Sequence, residues 1–106
     1  MPRKVFKIEL NNKSRYQRVL SGQPQTRGMR SGCVSLGSGF EVGEHSTKDR
    51  EEVLVILSGK GRVFFSGCAV EVAKNTVVYI PPRTRHNVKN TGKKKLRYLY
   101  IVSPVV

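Results

Sequence analysis

The segment Thr47-Lys48-Asp49-Arg50-Glu51-Glu52-Val53-Leu54-Val55-Ile56-Leu57 decides the fold of this chain. Its polar start and apolar middle suit a capped helix. However, it ends in five consecutive apolar residues, three of them β-branched, a pattern that favours a buried strand. Downstream, Gly59-Lys60-Gly61 turns tightly into Arg62–Phe65, Ser66-Gly67 into Cys68–Val72, and Ala73-Lys74-Asn75 into Thr76–Ile80. Pro81-Pro82 ends that strand, because proline has no N–H to give to a ladder. A further strand covers His86–Lys89, Asn90-Thr91-Gly92 turns, and Leu96–Val102 follows.

Upstream, Val5, Ile8 and Leu10 mark an extended segment stopped by Asn11-Asn12-Lys13-Ser14. Tyr16–Leu20 and Arg30–Leu36 are two more strands, separated by the loop opening at Ser21-Gly22-Gln23-Pro24 and closed by Gly37-Ser38-Gly39. Roughly nine or ten short strands with turn signals every ~8–12 residues predict an all-β sandwich or barrel. Residues 1–106 are read as one domain, since 106 residues can bury one core but not two. In the decisive segment Val53, Val55 and Leu57 alternate with Leu54 and Ile56, so both strand faces are apolar. One face fills the interior, and the other needs a second sheet or a partner subunit, which predicts a homodimer.

Composition narrows the function classes. Lys and Arg number 20 against 7 Asp and Glu, a formal charge of +13. Such a field attracts polyanions, but the charges are scattered, and the one tight run, Lys93-Lys94-Lys95, follows a turn that puts it in solvent. No zinc-finger spacing, helix-turn-helix pattern or RNP-like aromatic stretch accompanies them, which argues against nucleic acid as the partner. No apolar run approaches the ~18 residues of a membrane span, and the basic start MPRKVFKIEL lacks the apolar core of a signal peptide. The two cysteines, Cys33 and Cys68, form neither a disulfide framework nor a metal-type pair and are expected to be small core residues. The expected compartment is cytoplasmic.

The chain has two histidines, His45 and His86, and both stand at strand edges in turn-rich contexts. Gly39 is followed by five residues, His45, Ser46, Thr47, four residues, Glu52, six residues and Gly59. Asn75 is followed by five residues, Pro81-Pro82-Arg83, two residues, His86, three residues and Asn90. This arrangement resembles the two motifs of the cupins, small jelly-roll barrels (double-stranded β-helices). The first motif of that family carries His-x-His before its glutamate, and Thr47 stands where the second of these imidazoles would be. In the second motif Asn75 and Arg83 replace glycines. Asparagine is the next best residue for a left-handed turn, and arginine is not.

The resemblance implies a single jelly-roll barrel with His45, Glu52 and His86 as ligands of a divalent transition metal, with iron, manganese, nickel and zinc not distinguished. The chemistry of the residues agrees, since two imidazoles and a carboxylate with open positions suit such ions. A neutral hydroxyl at Thr47 is a poor ligand, so the site keeps three protein ligands and more water, or the metal has been lost. Thr47 is then a candidate substrate-binding residue. So are Arg83 and Arg85, which bracket the approach to His86 in the Pro-Pro loop and suit an anionic small molecule. Two other functions compete with a metal-dependent barrel: a metal-free module binding a sugar or carboxylate, and a nucleic-acid binder using the basic exterior. The fold does not choose a reaction, or whether there is one.

Overall fold

A computed structural model describes residues 4–105. Among these residues nine strands make up the fold: β1 (Tyr16–Ser21), β2 (Arg30–Leu36), β3 (His45–Ser46), β4 (Arg50–Ser58), β5 (Lys60–Phe65), β6 (Cys68–Ala73), β7 (Thr76–Ile80), β8 (Arg85–Asn90) and β9 (Leu96–Pro104). They form two antiparallel sheets, one in the order β1-β2-β9-β4-β7 and the other β3-β8-β5-β6. The decisive segment is a strand, and the expected strands around it are present with small shifts at their ends. The Val5–Leu10 segment is the exception. It lies outside any strand and is exposed, with Val5 fully so. Its apolar residues alternate imperfectly, and no neighbouring ladder takes them up. The short strand β3, which carries His45, was not expected. No helix among the described residues is long and apolar enough to cross a membrane.

Strand alternation sorts β4 cleanly. Glu52, Leu54 and Ile56 are buried, while Val53, Val55 and Leu57 are half-buried on the opposite face. Leu54 and Ile56 pack with Val63, Val72, Ile80, Val88, Leu96 and Tyr98 between the two sheets. Removing the Leu54 side chain to alanine would cost about 2–5 kcal/mol by the usual cavity penalty. Cys33 is buried as expected, whereas Cys68 is exposed at the start of β6, so it is no core residue.

Tight turns hold the strands in place. Gly59 has φ +89°, and a Cβ there would run into the Lys95 carbonyl, so only glycine lets β4 turn into β5 against that backbone. Asn75 adopts the left-handed conformation expected of it, φ +68°. Arg83 is also left-handed, at φ +54°, where the resembled family has glycine. Asn90 is fully buried, and its amide donates to the carbonyls of Leu36 and Lys94, each at 2.8 Å, while its side-chain oxygen accepts from Gly92 N–H. It therefore pins the β8–β9 turn to the end of β2.

Candidate functional site

Three strands from both sheets bring the candidate ligands together. His45 on β3 lies directly opposite His86 on β8 in the antiparallel ladder, and their rings meet edge to face with centroids 4.3 Å apart. Glu52 comes from β4 in the other sheet, on its buried face. One ligand atom from each of His45, Glu52 and His86 can be chosen so that all lie within 4.8 Å of one another.

Backbone carbonyls orient both imidazoles. His86 Nδ1 is 3.1 Å from the Thr84 carbonyl, and His45 Nδ1 is 3.0 Å from the Gly43 carbonyl. A carbonyl only accepts, so each Nδ1 carries the proton and each Nε2 keeps its lone pair, the tautomer that a metal-ligating histidine adopts. His86 is 1 % exposed, and its Nε2 has no hydrogen-bond partner although it lies 3.2 Å from Glu52 Oε1. The two atoms are close without the alignment of a hydrogen bond. A buried, unpartnered nitrogen beside a buried carboxylate is costly unless a cation joins them. The donor set N, N, O and this orphaned atom fit a divalent transition metal.

The charge balance agrees. Burial pulls the His86 pKa down, but the Glu52 carboxylate and the Thr84 carbonyl outweigh it and hold the imidazole above its ordinary value. Glu52 is itself buried, and its Oε1 faces the His86 ring, a contact that becomes an ion pair only when that ring is protonated and that a metal ion would otherwise bridge.

These ligands sit in a cavity of about 500 Å³ between the sheets. Tyr16 and Tyr100 form part of its wall, stacked with ring centroids 6.4 Å apart and their hydroxyls 2.7 Å apart. Gly32 makes room for them, since a Cβ there would fall 2.7 Å from both rings. Burial and the neighbouring Tyr16 hydroxyl push the Tyr100 phenol well above its ordinary pKa, so it stays neutral at physiological pH.

The Cupin domain family matches residues 32–102. The chain belongs to the cupin family. A cupin 2 conserved barrel domain protein of Salinispora arenicola superposes with a TM-score of 0.75, covering 99 % of this chain and 90 % of that one at 22 % identity, which shows a shared fold. Among curated relatives, the glucose-6-phosphate isomerase of Pyrococcus abyssi is 42 % identical over 62 residues, 54 % of this chain and 33 % of its own. Auxin-binding protein 1 of Arabidopsis thaliana is 36 % identical over 76 residues, 63 % of this chain and 37 % of its own. The chain thus spans only about a third of the length of each of these two curated relatives.

The residues expected to bind substrate in this cupin take different places. Thr47 is buried at the cavity, but its hydroxyl donates to the Pro81 carbonyl at 2.7 Å and accepts from Thr84 N–H at 3.0 Å. Its hydrogen-bonding capacity is largely spent on the loop that carries His86. Arg83 and Arg85 are not among the residues lining the cavity. The Arg85 guanidinium holds Glu44 through two bonds, of 2.8 and 3.1 Å, on the exposed rim. Arg83 donates its backbone N–H to the Lys48 carbonyl at 2.7 Å. The arginine that does line the cavity is Arg50. It could have been found in the sequence, because it stands two residues before Glu52 and strand alternation puts both on one face. Tyr16 and Tyr100 left no such trace, being 84 residues apart.

Proposed function

We propose that this cupin binds a divalent transition metal through His45, Glu52 and His86 and holds a small organic molecule beside it in the cavity. The observation that carries this is the buried, partnerless Nε2 of His86 converging with His45 and Glu52 at the cavity wall. A bound ion with open positions supplies Lewis acidity to a ligand there. The chain's own contribution is to fix two imidazole tautomers through Thr84 and Gly43, and to surround the ligand with phenols and aliphatic walls. A fold shared by isomerases and binding proteins does not select a reaction, so the proposal is of binding. Elemental analysis of protein purified without a metal column tests it. About one equivalent of metal after reconstitution is expected, and failure to take up any metal overturns it. Ligand binding that persists in chelator would assign the metal-free module instead.

The same protein is proposed to work as a homodimer. The outer face of β4 is apolar at Val53 and Val55, and the residues paired with them on β7, Tyr79 and Val77, are 57 % and 66 % exposed. A second copy of this face is the occupant that such a surface suits. Sedimentation at micromolar concentration should give a dimer that Val77→Lys dissociates, and a monomer at all concentrations would reject it.

A further inference from the structure

Arg50 opens β4 and is half-buried at the cavity. Among the described residues it makes no ion pair, whereas Arg62, Arg85 and Lys7 are each paired with a glutamate. Among the described residues it is also the one Lys or Arg lining the cavity. An unpaired guanidinium partly shielded from water is a strong donor site for a planar anion, because its fork of N–H groups matches a carboxylate with two parallel bonds.

The rest of the wall specifies what the anion is attached to. Val34, Leu36, Val42, Leu54 and Val88 line the cavity with aliphatic surface. These side chains reward an apolar body, and of the wall hydroxyls Ser46 already accepts from Lys48 N–H while Thr47 bonds Pro81 and Thr84, so the wall offers little to a polyhydroxylated sugar. The Tyr16–Tyr100 pair adds one polar contact. With hydroxyl oxygens 2.7 Å apart, one phenol donates to the other, which leaves one O–H free to turn toward a ligand oxygen.

We infer that Arg50 is the anion-holding residue of the cavity, and that its ligand is a small organic monocarboxylate with an apolar body. The inference rests on the proposed ligand-binding role of the cavity, and it moves the recognition of charge from the Pro-Pro loop to β4. Arg83 and Arg85 belong to the rim, and Arg50 holds the carboxylate head while the aliphatic wall takes the remainder.

Titration calorimetry of the metal-reconstituted protein with pentanoate, benzoate, pentanamide and glucose 6-phosphate tests this. The two carboxylates should bind, and the amide and the sugar phosphate should bind at least about tenfold more weakly, as expected for loss of a charge-assisted bond. Arg50→Gln should weaken the carboxylates about 10–100-fold, and Arg50→Lys should recover part of the loss. Metal content of Arg50→Gln, read by elemental analysis, should equal that of the unsubstituted protein. Arg83→Gln should leave carboxylate affinity unchanged. If neither carboxylate binds, if Arg50→Gln binds them as well as the parent, or if the sugar phosphate binds more tightly, the inference is overturned. Should the protein take up no metal yet bind carboxylates through Arg50, the metal centre fails and Arg50 stands. Should metal bind and carboxylates not, the reverse holds.

Discussion

The Thr47 hydroxyl donates to the Pro81 carbonyl at 2.7 Å, and this bond fastens the chain between β3 and β4 to the loop that carries His86. Thr84 N–H returns a bond to the same hydroxyl. The position that carries an imidazole in related barrels is here a clasp. Thr47→Val keeps the shape and removes both bonds inside a buried site. It should cost about 1–3 kcal/mol of stability, read from chemical denaturation, and should also weaken metal uptake by loosening His86. Unchanged stability would show that water replaces the hydroxyl.

His86→Ala should abolish metal binding, while His45→Ala should weaken it less, because His45 is exposed and His86 is buried. Equilibrium dialysis with a competing chelator measures both. Equal affinities in the two variants would contradict the assigned roles.

Protons compete with the metal at His86. Its imidazole pKa is raised above the ordinary 6.5 in the folded chain. For the metal-free protein this contribution to stability is therefore fully present below the unfolded value of about 6.5 and is lost as pH rises through the folded value. A metal needs the neutral ring, so the rise in melting temperature on adding metal should be small at acid pH and grow as pH passes above 6.5. A metal-induced shift that is flat across that range would exclude His86 as a ligand.

Gly32→Ala places a methyl 2.7 Å from the rings of Tyr16 and Tyr100. Overpacking of this kind should cost about 1–3 kcal/mol and push the two tyrosines apart. Carboxylate affinity should fall, whereas metal content should not, since the ligand histidines and Glu52 lie on β3, β8 and β4 and Gly32 on β2. Calorimetry and elemental analysis together check both arms.

Asn90→Ala leaves the Leu36 and Lys94 carbonyls and the Gly92 N–H without their partner. A loss of about 2–4 kcal/mol is expected from the orphaned groups, measured by thermal or denaturant unfolding.

Much of this was legible in the residues. The Val53–Leu57 run, bounded by Gly59 and rich in β-branched residues, favoured a strand over a capped helix, and Pro81-Pro82 had to end a ladder. The spacing of His45, Glu52 and His86 brought three candidate ligands together because local motifs report positions along single strands. What was not legible depends on pairs distant in sequence. Whether the Thr47 hydroxyl was free depended on the Pro81 and Thr84 backbone, and whether Arg85 was available depended on Glu44. The Val5–Leu10 alternation suggested a strand, but a strand also needs a neighbour with open hydrogen bonds, and sequence does not show one.

The ladder of β3 with β8 is two residues long, His45 with His86 and Ser46 with Arg85, and β3 stands at the margin of its sheet. The two halves of the centre therefore differ in mechanical stiffness. The half built on β8 is gripped on both sides, by β3 and β5, whereas β3 is gripped on one side, by β8, with the Val42 N–H to Val88 and Thr47 N–H to Thr84 bonds extending that grip beyond the ladder. Amide exchange at His45 and Ser46 should outpace that along Arg85–Asn90, and should slow when an ion is bound.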